Sequence, residues 1–256
     1  PLPARGGVDL QAIADTTLRA RAAHSFFHWE LEFPEVFFAP GTAGGQDVEL
    51  REDGGFDAVV GNPPYDELSE SALGRPVVER QYLLSVDIYR PAQISGGRLN
   101  WYHFFMVLAI RLAKPEGRTG FIVPMSWMGD SFTVGVRQWL LSNHAPIVIE
   151  AFPQKDDPNN RVFFDAKLPT SVYVAQKNNT DFSLKVRVHP GRDILSHDHY
   201  IADIHTIKSL ENWIIPLVSK DEWAVLARLL HDPSLSTLSE AGAKPTSGEI
   251  IFNQET

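Results

Sequence analysis

The sequence has no cysteine, only three methionines, and no apolar run approaching a bilayer span. A membrane helix needs about 20 consecutive apolar residues. Without cysteine there is no disulfide framework, no thiolate metal site and no thiol nucleophile, and a reducing cytoplasm is the expected compartment. No basic start, apolar stretch and small-residue cleavage site follow Pro1, so no secretory signal is read and the start looks like an internal cut. Internal repeats and low-complexity tracts are also missing. What is present is globular: 256 residues, 43 % hydrophobic and 21 % charged, enough to bury a core. That length fits one large domain, or one with a fragment of a second.

The net charge of −9 is unevenly spread. Residues 1–100 carry −7, residues 101–192 carry +4, and residues 193–256 carry −6. An acidic chain is a poor nucleic-acid binder by composition, but a basic surface in the middle third can meet phosphate.

The apolar pattern alternates between helical and extended segments. Val8 to about Ala23 has a helical period, and residues 39–55 read as a glycine-rich loop. Phe56 to Gly61 reads as a short, buried parallel strand, bounded by glycines. Residues 66–99 show no sustained period and read as a long loop with at most a short helix. Asn100 to Ala113 predicts an amphipathic helix stopped at Lys114-Pro115-Glu116-Gly117, followed by a strand at Gly120–Val123. A helix near Ser131–Ser142, strands at Ile147–Glu150, Ser171–Ala175 and Phe182–Val188, and a helix at Asp221–Leu230 complete the pattern. This alternation predicts an α/β fold with a mostly parallel sheet. A boundary is placed near 190–215.

The most informative feature is Asn62-Pro63-Pro64-Tyr65, directly after the apolar strand. A planar amine, such as the exocyclic amino group of a nucleobase, is a poor nucleophile because its lone pair is delocalised into the ring. The Asn62 side-chain oxygen and the Pro63 carbonyl can each accept one amine hydrogen, turning the nitrogen toward tetrahedral geometry and stabilising positive charge as it develops. Both prolines fix φ and bias the preceding residue toward extended conformations, so the Pro63 carbonyl is presented rigidly. Tyr65 can stack on a flipped base, a contact worth roughly 1–3 kcal/mol. His28, Glu30, Glu32 and Glu35 lie in an aromatic segment without metal-ligand spacing, so packing is expected there and no metal. His197 and His199 read as solvated surface.

GGFDAVVGNPPY, preceded by FFHWELEFPEVFF and followed by an aromatic helix and GFIVP, resembles the amino-methyltransferase motif of S-adenosylmethionine-dependent DNA adenine-N6 methyltransferases. The likeness is to the gamma-class enzymes of large restriction-modification or phage-defence type and spans roughly residues 24–176. It implies a Rossmann-like methyltransferase sheet, adenine flipped out of duplex DNA, and transfer of the sulfonium methyl group to N6. On this resemblance Asn62, Pro63, Pro64 and Tyr65 are the catalytic set, with Asn62 also beside the cofactor. In similar enzymes an aromatic residue before the strand at 171–175 stacks on the adenine opposite the motif tyrosine. Phe163 is favoured for that place and Phe164 is held in reserve. The lack of cysteine removes C5-cytosine methylation, which needs a thiol nucleophile.

Such enzymes carry a glycine-rich turn after the first sheet strand and an acidic residue ending the second. Gly41-Thr42-Ala43-Gly44-Gly45 follows Pro40 rather than a recognisable strand, and neither cofactor element is found. The expectation is therefore the C-terminal part of the methyltransferase sheet, with the catalytic part in residues 1–190. A linker and the possible start of a target-recognition region would occupy 191–256. S-adenosylmethionine is the implied cofactor, and double-stranded DNA and the remaining segments of a parent enzyme are the implied partners, with no membrane. Cytosine N4, an RNA base amine and a protein glutamine amide offer the same planar amine and stay open. So does a non-catalytic DNA-binding or assembly module.

Overall fold

A computed structural model describes residues 10–23, 27–40, 48–77, 79–94, 98–194 and 197–235. The chain divides into two compact units, Pro1–Phe56 and Asp57–Thr256.

The first unit contains α1 (Leu10–Ala23), α2 (Trp29–Glu32), α3 (Pro34–Phe37), β1 (Phe38–Pro40) and β2 (Val48–Leu50). Pro34 opens α3, where its missing N–H costs nothing and its fixed φ suits a helical start. The aromatic residues pack as expected. Trp29 stacks on Phe33 with centroids 6.1 Å apart, and Phe33 and Phe37 meet Phe56 edge to face at 5.4 and 5.5 Å.

Residues 39–55, read as loop, include an antiparallel ribbon of β1 and β2. Three-residue strands beside a glycine tract leave too few positions for a period to show. Pro40 therefore ends a strand, contrary to the sequence reading of this segment. The glycine tract itself, 41–47, lies outside the described residues.

The second unit is a mixed α/β structure. β3 (Phe56–Gly61) leads through α4 (Glu70–Leu73) and α5 (Glu79–Ser85) to α6 (Trp101–Leu112). There follow β4 (Ala113–Pro124), α7 (Val134–Asn143), β5 (Ala145–Phe152), β6 (Thr170–Gln176), β7 (Leu184–Val188), β8 (Tyr200–Ala202), α8 (Ile204–Ser209) and α9 (Lys220–Leu230). The six strands lie in the order β3-β4-β6-β5-β7-β8.

The mostly parallel sheet expected from the sequence is corrected here. β6 runs antiparallel to both β4 and β5, β7 is parallel to β5, and β8 is antiparallel to β7. Alternating strand and helix held from β4 through α7 to β5, which point the same way. The link from β5 to β6 carries no helix to bring the chain back across the sheet, so β6 returns antiparallel, inserted between them.

β3 is also not the buried strand its apolar composition suggests. It forms one edge of the sheet, with Asp57, Ala58 and Val60 exposed. Residues 66–99 are more ordered than a long loop. Their two short helices and a 3-10 turn at Asp87–Ala92 place Leu68, Tyr89, Ala92, Ile94 and Leu99 in the core. The stretch near 190–215 lies inside the second unit, where Tyr200, Ala202, Ile207 and Ile215 join the same core.

α6 is the central helix. Eight of its twelve residues are buried, so it shows more than one apolar stripe. Each fully buried large side chain contributes about 1.5–3 kcal/mol, and truncating Tyr102 or Phe104 to alanine would cost about 3–5 kcal/mol. The placement of the loop after β3 depends on this helix.

Candidate target-amine site

Asn62 begins where β3 ends. Gly61, just before it, lies close against β4: a Cβ there would sit 3.1 Å from the ring of Phe121, which would have to shift by a few tenths of an ångström. The chain then leaves the sheet without regular structure through Tyr65. Asn62 is exposed, and among the described residues its side chain has no hydrogen-bond partner. Pro63 is buried, yet among the described residues nothing donates to its carbonyl. Pro64 is exposed between them and Tyr65. Two acceptor oxygens therefore stand uncommitted in adjacent residues, the arrangement a planar amine needs.

Tyr65 is fixed at both ends. Its hydroxyl donates to the Ile122 carbonyl of β4 at 3.0 Å, and its own carbonyl accepts from the Asn100 Nδ2 at 2.9 Å. Partial burial pushes the phenol up to about 12, so it remains a donor at neutral pH. The ring meets Tyr102 edge to face at 6.5 Å. Tyr102 is itself tied to Ser126 at 3.0 Å and held above the ordinary phenol range by burial.

Phe163 arrives from the β5–β6 loop, and its ring centroid lies 5.8 Å from that of Tyr65 at 66°. Phe164 turns outward, 66 % exposed. The structure thus brings Asn62, Pro63, Pro64, Tyr65 and Phe163 to the carboxyl ends of β3, β4 and β5, where open α/β sheets place their sites. Phe164 does not join the ring pair.

The sequence reading missed two groups that hold these loops. One is Asn100 at the start of α6. The other lies at the root of the Phe163 loop, where Glu150 of β5 bonds Arg187 and the His189 Nε2, the latter at 2.8 Å. His189 also stacks on Phe152 at 4.9 Å, and its amide donates to the Ala151 carbonyl at 2.8 Å. A buried carboxylate is tolerated when it is paired and hydrogen-bonded in this way. An Arg-x-His following a lone glutamate in an apolar strand was the available signal.

Among the described residues no group of three or more potential metal ligands comes together. No helix of the described residues is long and apolar enough to cross a membrane. Nor do the described residues contain a strand–glycine turn–helix.

The class of protein is shown by comparison with a known family. The Eco57I restriction-modification methylase family profile matches residues 8–157, and the chain belongs to that family. It is 30 % identical over 111 residues to a Methanocaldococcus jannaschii protein that carries the name type II restriction enzyme and methyltransferase RM.MjaORFECS2P. That stretch is 43 % of this chain and only 7 % of the relative. Among solved structures, the type I restriction-modification methyltransferase subunit from Streptococcus thermophilus matches 52 % of this chain and 26 % of its own. The identity there is 20 % and the TM-score 0.41. The DNA-bound Type ISP restriction-modification enzyme LlaBIII matches 54 % of this chain and 10 % of its own, at 15 % identity and TM-score 0.43.

Proposed function

We propose that the chain supplies the target-base side of a DNA adenine-N6 methyltransferase in a restriction-modification or phage-defence enzyme. The observation that carries this reading is the pair of uncommitted acceptors, the Asn62 side chain and the Pro63 carbonyl, beside the Tyr65–Phe163 ring pair. S-adenosylmethionine supplies the methyl group when bound, and no residue here is assigned to its ribose or adenine. Asn62, as the exposed acceptor, would also lie beside the methyl donor.

The adenine N6 hydrogens are accepted by the Asn62 oxygen and the Pro63 carbonyl, so its lone pair leaves conjugation and points at the incoming carbon. Pro64 stiffens the turn. Tyr65 and Phe163 hold the flipped ring. The attacking nitrogen is neutral, so no protein base need remove its proton first: the N–C bond would form as the donor's S–CH3 bond breaks, the sulfonium would leave as a neutral thioether, and the surplus N6 proton would then pass to water. Duplex DNA and further segments of the enzyme are the partners in this reading, and the cytoplasm its compartment.

The test is methyl transfer from labelled S-adenosylmethionine to duplex DNA by the intact protein, with the product nucleoside identified. N6-methyladenine is expected. N4-methylcytosine, or label in RNA or a glutamine peptide alone, would reassign the substrate, and no transfer at all would leave a non-catalytic module. Asn62→Ala is expected to lower the single-turnover rate by roughly a hundredfold, the scale for one preorganised polar contact, whereas Asn62→Asp keeps an acceptor and some activity.

A further inference from the structure

The motif turn has no ladder of its own, so something outside it must hold it still. Two backbone hydrogen bonds join the residues that follow the motif to the start of α6. The Trp101 amide donates to the Asp66 carbonyl at 3.2 Å and the Leu68 amide donates to the Leu99 carbonyl at 2.6 Å, which together pair Glu67 with Asn100 as an antiparallel bridge. The third contact is made by a side chain: Asn100 Nδ2 donates to the Tyr65 carbonyl at 2.9 Å. We propose that Asn100 is a positioning residue for methyl transfer, tethering the Tyr65 carbonyl to the start of α6 and thereby aiming the Pro63 carbonyl. This inference rests on the proposed function.

The argument is one of remaining freedom. Between the end of β3 at Gly61 and the tether at Tyr65 lie three residues, two of them prolines with φ fixed by their rings. Asn62 and Pro63 each precede a proline and are biased toward extended conformations. With one end of this stretch in the sheet and the other held at the Tyr65 carbonyl, few torsions are left to turn the Pro63 carbonyl away. The tyrosine hydroxyl bond to Ile122 restrains the ring, and Asn100 restrains the backbone. These are separate jobs. Asn100 is held in turn, because its amide donates to the Nδ1 of buried His103 at 3.5 Å.

Two substitutions separate the tether from the helix start. Asn100→Ser and Asn100→Asp both retain a good N-cap residue. Serine is too short to reach Tyr65, and aspartate replaces the donor with an acceptor. Thermal unfolding of both variants reports whether the fold is kept. Hydrogen exchange at the Leu68 and Trp101 amides, whose bonds pair this stretch with the start of α6, reports the tether independently of any activity. Single-turnover methylation and duplex affinity report its use.

The expected result is faster exchange at these amides in both variants, with transfer slower by about tenfold, the scale of one lost part-buried hydrogen bond. Duplex affinity should stay within about twofold, because the loss falls on the chemical step. Unchanged exchange would overturn the tether whatever the activity, and faster exchange with a wild-type transfer rate would overturn its positioning role. If the wild-type protein transferred no methyl group to DNA, the proposed function would fail, and the exchange measurement would decide the tether alone.

Discussion

Tyr65 and Phe163 meet edge to face with ring centroids 5.8 Å apart, a geometry in which each ring fills the space a stacked base would take. A base between two rings needs two van der Waals layers, about 7 Å, and near-parallel planes. The pair is therefore closed on itself. Opening it requires movement of Phe163, whose loop carries no helix or strand between β5 and β6, rather than of Tyr65, which is bonded at both ends.

This sets the first prediction. Phe163→Ala is expected to weaken capture of an extruded adenine, read as reduced fluorescence of 2-aminopurine placed at the target position. Stacking on an aromatic ring is worth about 1–3 kcal/mol, so the loss should be smaller when the target is mispaired and flipping is cheaper. Phe164→Ala should leave the signal near wild type. The reverse pattern would assign the clamp to Phe164.

The second prediction concerns the Tyr65 hydroxyl. Read from sequence, Tyr65 contributes only ring area, which phenylalanine would keep. In the structure its loss leaves the Ile122 carbonyl without the 3.0 Å donor. Tyr65→Phe should thus cost about 1 kcal/mol, the scale for losing one part-buried hydrogen bond, visible as a lower thermal midpoint and slower transfer. Tyr65→Ala should be more severe, losing ring and hydroxyl together. Equal midpoints for wild type and Tyr65→Phe would return the residue to a purely stacking role.

The readable part of this chain was whatever a local period encodes. α6, β5, β6 and α9 follow their apolar patterns to within two or three residues, and the motif was found because Asn-Pro-Pro-Tyr sits at the end of an apolar run. Strand order is not local. Nothing in Thr170–Gln176 states that it will insert between β4 and β5, since either direction buries the same alternating face. Exposure of β3 was equally hidden, because apolar residues such as Val60 look the same whether a core or a partner covers them. The Asn100–Tyr65 bond escaped for a different reason: a side-chain amide meeting a distant backbone carbonyl leaves no pattern in either segment.

The third prediction is a loss of stability in acid. Burial pushes the imidazoles of His103 and His144 from 6.5 down to about 4. Each ring accepts a backbone N–H at Nδ1, from Asn100 at 3.5 Å and from Asn178 at 3.1 Å, so a second proton breaks a hydrogen bond as well as charging the core. The folded chain binds these protons less readily than the unfolded chain. Their contribution is therefore fully present above pH 6.5 and is lost as the pH falls toward 4, by at most roughly 3 kcal/mol per ring. The thermal midpoint should drop between pH 7 and pH 4.5, and His144→Gln should flatten that slope. A midpoint constant over this range would contradict buried neutral rings.

The last prediction follows from the position of β3 at one edge of the sheet among the described residues. β3 presents Ala58 and Val60 to solvent, Val60 being 81 % exposed, above a shallow apolar groove of about 340 Å³ shared with Gly120, Ile122, Val172 and Val174. An edge strand with unpaired N–H and C=O groups and exposed β-branched residues is a template for pairing with another strand. The isolated 256 residues should accordingly self-associate with rising concentration in sedimentation velocity. Val60→Lys should suppress this, because a charge on the edge must be desolvated for a second strand to pair there. Asp57 does not supply such a block, since its carboxylate is engaged by Lys114 at 2.6 Å, which lowers its pKa. If Val60→Lys associates as strongly as the unsubstituted chain, the contact lies elsewhere and β3 is not the surface that needs covering.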